Sequence, residues 1–264
     1  MTRYRPLDPV RHGTVQMRPT ADAHALRYAW VGLSEIPLAA ADFPLCFAKD
    51  GETGRFNLVA LLSLDQPRNL YWRDGGWRCT YLPEAVMAEG FRLDAAAALG
   101  LLIDEDSDRF AAPGQPLFGT DGRPTAAVEA MRGRLRRLVA DLNAAHDMVD
   151  GFVQLDLVRA LEVVLRLPNG AEHEVGGLYT LSPSALAELP DPVVVDLFRK
   201  GHLSAATLIA ASVNQMERLL QLRGVDPGDG GAQTSMFAWW SVPPARKARE
   251  SGGRAAPGGI LHAL

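Results

Sequence analysis

Apolar residues recur at alternating spacings of three and four through residues 124–149. Val128, Met131, Leu135, Leu138, Leu142, Ala145 and Val149 fall on one stripe of a helix that turns every 3.6 residues. Arg132, Arg134, Arg136, Arg137 and Asp141 lie mostly off that stripe. The pattern predicts an amphipathic helix laid on a sheet. Three heptads with so irregular a polar face do not argue for a coiled coil.

Before this helix the pattern is that of strands and turns. Residues 25–31, "LCFAK" and "RFNLVALLSL" read as strands, the last two joined by the turn "DGETG". "SEIPLAAADFP" reads as a short helical turn opened by a Ser cap. In "NLYWRDGGWRCTYLP", two segments rich in aromatic and β-branched residues flank Asp74-Gly75. That pair supplies the positive φ angles a tight hairpin turn requires. A two-residue loop pairs Trp72 with Trp77 and Arg73 with Gly76, which puts the two indoles on one face; a longer loop through Gly76 would shift the register by one and part them, and the stacked pair is the expectation. Trp77, Cys79 and Tyr81 share a face, and a short helix opened by Pro83 and closed by Gly90 is expected to bury Trp77. "AAAALGLLID" reads as a buried strand, and "EDSDRFAAPGQPLFGTDGRP" as a long polar connection.

After the long helix, "LEVVLRLPNGAEHEVGGLYTLS" reads as a second hairpin around Pro-Asn-Gly. "SPSALAELP" and "DPVVVDLFRKG" are short capped helices, and residues 202–223 one long apolar helix ended by Gly224. From 225 to 264 the chain is rich in Gly, Pro, Ala and Arg and reads as a flexible tail. The expected fold class is α+β: mainly antiparallel sheets built from hairpins, packed by amphipathic helices, in a single domain over 1–224.

Composition narrows the function classes. In 264 residues the net charge is only −4, which argues against nucleic-acid binding, since neutralising phosphates takes a surplus of Lys and Arg. No window approaches the roughly 18 to 20 apolar residues of a membrane span, and the first residues lack the apolar stretch of a secretory signal. A cytoplasmic location is the simplest expectation. Cys46 and Cys79 read as reduced, buried strand residues rather than a disulfide framework.

Chemical motifs are sparse. Phosphate loops, a G-x-S-x-G elbow and C-x-x-C pairs are all missing from the sequence, and with them the common phosphate, hydrolase and zinc signatures. Asp104, Asp106 and Asp108 alternate like the start of a calcium loop, but Arg109 and Gln115 stand where an EF-hand needs Gly and Glu. No metal and no cofactor is expected. The six histidines, at 12, 24, 146, 173, 202 and 262, are scattered, and no nucleophile stands beside one by spacing.

"SEIPLAAADFPLCF", "NLYWRDGGWRCTYLPEAV", "LLIDEDSDRF" with "PLFGTDGRP", and "VGGLYTLSPSALAELPDPVVVDLFRKGHLSAATLIAASVNQMERLL" together resemble the bacterial SapC family, over roughly residues 25 to 222. Glu35, Pro37, Pro44, Asn69, Gly76, Trp77, Tyr81, Pro83, Ile103, Asp104, Leu117, Phe118 and Gly122 carry the likeness. The resemblance implies an accessory role linked to surface-layer function or to peptide and amino-acid uptake and modification, with no particular enzyme activity.

Two functions follow as expectations. The first is a non-catalytic binding or accessory protein with a protein or peptide partner. Its candidate binding residues are Trp72, Arg73, Trp77, Tyr81, Glu35 and Asp104, because aromatics and Arg carry binding energy at such surfaces. The alternative is an enzyme acting on a peptide or amino acid, with Asp104, His173 or Glu35 as acid or base.

Overall fold

A computed structural model describes residues 3–21, 24–64, 68–111, 113–166 and 172–223. The stretch read as a flexible tail, 225–264, lies outside the described residues, as does the Pro-Asn-Gly turn of the second hairpin. In chain order the elements are β1 (Tyr4–Pro6), α1 (Pro9–His12), β2 (Gln16–Met17), β3 (Tyr28–Trp30), a 3-10 turn (Leu33–Glu35) leading into α2 (Ile36–Asp42), β4 (Leu45–Lys49), β5 (Phe56–Leu61), β6 (Trp72–Arg73) and β7 (Gly76–Trp77). There follow α3 (Glu84–Met87), β8 (Phe91–Leu93), β9 (Leu101–Asp104), β10 (Gln115–Pro116) and α4 (Ala126–Gln154). The rest comprises β11 (Val158–Ala160), β12 (Val163–Arg166), β13 (Glu172–Val175), β14 (Leu178–Leu181), α5 (Pro183–Ala187), α6 (Asp191–Arg199), α7 (His202–Ser212) and α8 (Met216–Arg223).

The class is α+β, as expected, and every strand pair described is antiparallel. A five-stranded sheet runs β11-β14-β4-β5-β3 and a three-stranded one β1-β9-β8. Helix α4 joins their two cores. Its first half buries Val128, Met131, Leu135, Leu138 and Leu142 with Phe91, Leu101 and Ile103 of the small sheet. Its second half buries Met148, Val149 and Phe152 in the core of the large sheet. One apolar stripe thereby covers two sheets, at roughly 1.5–3 kcal/mol for each large side chain buried.

Several expectations need correction. The residues before 25, for which the sequence predicted no element, supply two strands: β1 pairs with β9 and β2 with β10. Of "AAAALGLLID" only Leu101–Asp104 is strand; the alanines before it form turns. The polar connection after Asp104 holds buried Leu117 and Phe118. It also holds Arg109, 1 % exposed, whose guanidinium donates to the carbonyls of Met87, Glu89 and Pro19; burial lowers its pKa to about 10. The second hairpin is a separate ribbon of β12 and β13, while β14 joins the large sheet. The single helix read over 202–223 is two, broken by a 3-10 turn at Val213–Gln215. There Ser212 Oγ donates to Ile209 O and accepts from Leu45 N, drawing the helix end onto β4.

The aromatic hairpin keeps its expected register but not its expected burial. Trp72 pairs with Trp77 and Arg73 with Gly76, across a turn with φ of 53° at Asp74 and 75° at Gly75. The indoles meet edge to face, 5.6 Å between centroids. The expectation that Trp77 is buried under the following helix fails: both indoles are only half-buried, and Tyr71, fully enclosed, is the core aromatic. The strands end after two residues each, so the chain bends before Cys79 and face alternation no longer governs it. Pro83 caps α3 rather than opening it. Cys46 is buried on β4, whereas Cys79 is half-buried and off any strand; burial pushes both thiols up to about 12.

Candidate functional site

Glu35 ends the 3-10 turn before α2, and its carboxylate turns back into the protein, 4 % exposed. One oxygen accepts from Gly32 N at 2.8 Å. The other accepts from Tyr81 Oη and Glu84 N, both at 2.7 Å. A single carboxylate therefore caps its own turn, fixes the Tyr81 ring and receives the first amide of α3. Burial raises its pKa, and the three donors oppose that without overcoming it. Burial also raises the Tyr81 phenol, which its bond to Glu35 pushes further the same way.

Asp141 of α4 holds the same turn from the other side. Its oxygens accept from Ser34 N at 3.0 Å and Ser34 Oγ at 2.8 Å. A Cβ on Gly32 would lie 2.0 Å from Asp141 Oδ2, so glycine is required for this approach. Asp42, at the far end of α2 and 2 % exposed, anchors the chain leaving the hairpin. It accepts from Thr80 N, Thr80 Oγ1 and Tyr81 N at 2.6–2.8 Å, and from Arg218 at 2.9 Å. Burial alone would raise its pKa, but these donors outweigh burial and hold it low.

Between α2, α3 and α4 lies a cleft of about 600 Å³ lined by Ser34, Glu35, Leu38, Tyr81, Glu84, Arg134, Arg137 and Asp141, with Leu138 and alanines of α4. Glu84 pairs with Arg134 at 2.8 Å. Arg137 is exposed and has no hydrogen-bond or ion-pair partner among the described residues. Leu38 is 58 % exposed. Among the described residues the site offers one guanidinium without a partner, an open apolar side chain, and carboxylates that already accept from backbone and side-chain donors.

Of the six residues singled out in the sequence, Glu35 and Tyr81 meet here. Trp72 and Trp77 sit together in the hairpin. Trp72 Nε1 donates to His24 at 3.0 Å, beside a separate cleft of about 340 Å³ that also includes Arg18 and Gly75. Arg73 donates to the Leu222 carbonyl at 2.8 Å, closing the last turn of α8. Asp104 is buried on β9, where it accepts from Arg3 N at 2.9 Å and Asp106 N at 3.2 Å; it does not line the cleft. Its neighbour Glu105 gathers Arg3, Arg11 and His12, and Arg11 and then Arg3 hold its pKa near 2. His173 lies on β13 opposite Leu165; its side chain is outside what is described. Sequence reasoning missed Glu84, Arg134, Arg137 and Asp141. Arg134, Arg137 and Asp141 recur at three and four along the polar side of α4, a spacing that marks a second face of the helix.

Among the described residues no group of three or more His, Cys, Asp or Glu comes together to hold a metal ion, and no helix is long and apolar enough to cross a membrane. Fold and cleft define an α+β protein in which a long helix, a short helix and a hairpin exit enclose a charged cleft. A family model described as SapC matches residues 7–219, and the chain belongs to the SapC family. No curated protein and no solved structure matches it.

Proposed function

We propose that this chain is a non-catalytic binding or accessory protein that recognises a peptide or protein partner at the Glu35–Tyr81 cleft. The observation that carries the reading is the free Arg137 guanidinium beside exposed Leu38, over groups already bonded to one another. A preformed wall costs little to organise on binding. The free guanidinium selects a carboxylate, and Leu38 an apolar side chain beside it. Glu35 and Tyr81 are positioning residues in this proposal. The half-buried Trp72 and Trp77 hold the hairpin together edge to face, Arg73 secures it to the end of α8, and Asp104 has no part. A link to surface-layer function or to peptide and amino-acid uptake and modification draws only on the family likeness; a cytoplasmic location extends the sequence reading, in which no window approaches the length of a membrane span.

The test is chemical-shift mapping with a capped peptide carrying Glu next to Leu. Shifts clustered at Ser34, Leu38, Tyr81 and Arg137 are expected, and shifts elsewhere or none would refute the reading. An enzyme acting on a peptide is the second reading, favoured by the raised pKa of Glu35 inside a cleft. Both Glu35 oxygens accept from fixed donors, however, which suits a structural carboxylate better than a proton donor. Peptide cleavage or modification by the purified chain, lost in Glu35→Gln, would establish that reading instead.

A further inference from the structure

Helix α6 is apolar on more than the side that faces the core. Leu197 is buried and Val193 half-buried, yet Val195 is 44 % and Phe198 68 % exposed. The other exposed large apolar side chains among the described residues, Val10, Tyr28, Leu38 and Val153, stand on four different elements. Val195 and Phe198 share one. At about 100° per residue, Asp191, Pro192, Val195, Phe198 and Arg199 fall within an arc of about 120° with Val195 at its centre, and Leu197 points the opposite way. All five residues of the arc are exposed.

Two free charges bracket the apolar pair. Asp191 opens α6 and Arg199 closes it, and neither has a hydrogen-bond or ion-pair partner among the described residues. Asp196, just outside the arc, is engaged by Lys200 at 2.7 Å. Asp191 stands four residues before Val195 and Arg199 four residues after it, about 6 Å either way along the axis. Read backwards, the face therefore presents the opposite charge at each end.

We propose that this face of α6 docks on the same face of a second copy of the chain, antiparallel, across a two-fold axis at Val195. Residues equally far from the axis on its two sides then meet, as in any isologous contact. Asp191 of each copy faces Arg199 of the other, and Phe198 enters beside Pro192 and Val195 of the other. Parallel docking would set Asp191 against Asp191 and Arg199 against Arg199, and like charges reject that register. The antiparallel order also sets opposite ends of the two helix dipoles together. Charge order thus selects a second copy as the occupant. The nine residues of α6 are about 14 Å long, so the contact falls short of the roughly 1,000 Å² of a stable interface. The dimer is accordingly reversible, with a dissociation constant on the order of tens of micromolar. The face shares no residue with the Glu35–Tyr81 cleft, and the proposal does not depend on how that cleft is read.

Sedimentation equilibrium of the full chain, over a concentration series reaching the high micromolar range, should show a reversible monomer–dimer equilibrium. Phe198→Asp should abolish it. In Asp191→Arg the facing charges are all positive and in Arg199→Asp all negative, so each variant alone should associate about tenfold more weakly or worse. An equimolar mixture of the two should dimerise again, because each copy then supplies the charge the other lacks. The substituted side chains are all exposed, and circular dichroism checks that each variant folds. A wild type that stays monomeric overturns the proposal. If the Phe198 resonances of that monomer also move when the chain is ended after Gly224, the face is covered by the chain's own last residues and the second copy is the wrong occupant. A dimer that survives Phe198→Asp forms on another surface and overturns the proposal as well. A mixture that fails to recover association overturns the antiparallel arrangement.

Discussion

Tyr71 fills a fully enclosed site, packs against Phe43 at 4.7 Å between ring centroids and donates its hydroxyl to Asp42 O at 2.9 Å. Tyr71→Ala should therefore cost about 3–5 kcal/mol, the range for emptying a large aromatic site. Tyr71→Phe should cost about 1 kcal/mol for the hydrogen bond alone. Urea denaturation separates the two. Trp72 and Trp77 should show a coupling of about 0.5–1.5 kcal/mol in a double-mutant cycle, as edge-to-face pairs do; strict additivity would mean that they stand apart in solution. Their pairing was legible because Asp74-Gly75 dictates the turn and the turn dictates the register. Burial was not, because it depends on where the chain bends after Arg78. That bend is set by Asp42, far away in sequence.

The elements around the cleft are tied together by carboxylates, and the ties titrate in opposite senses. Burial raises the folded-state pKa of Glu35 above 4.5, so its protonated form is more favoured in the folded chain than in the unfolded one. Its contribution is complete below the unfolded value and is lost as pH rises through the folded one. Asp42 is held below 3.8; its contribution is complete above that value and is lost as pH falls through the folded one. Stability measured against pH should lose its upper slope in Glu35→Gln and part of its acid limb in Asp42→Asn. Unchanged profiles would mean that neither carboxylate differs between folded and unfolded chains. Gly32→Ala should cost about 1–3 kcal/mol by overpacking, because its Cβ would displace the Asp141 carboxylate, and it should disturb the cleft with little change to the far core. Amide exchange near Ser34 reads this directly.

In the whole molecule, α4 is the element on which both cores and the Glu35–Tyr81 cleft depend. Its apolar stripe was legible because burial imposes a 3.6-residue period whatever lies opposite. The two cores it serves were not, because strand order depends on partners a hundred residues apart, such as β1 with β9. The same holds for the cleft: its walls come from residues 34–38, 81–84 and 134–144, and no local pattern announces that they meet. Glu35 and Tyr81 were singled out one by one, not as a bonded pair. A chain ended after Gly224 keeps every described element, and it should melt within a few degrees of the full chain. Insoluble product would show that the last forty residues belong to the core.

The proposed partner site is the α4 cleft rather than the hairpin. Isothermal titration of the Glu-Leu peptide against Arg137→Ala and Trp72→Ala compares the two surfaces within one measurement. Arg137→Ala should lose about tenfold or more in affinity while Trp72→Ala binds as wild type. Loss in Trp72→Ala with full binding in Arg137→Ala would contradict it and move the recognition surface to the hairpin.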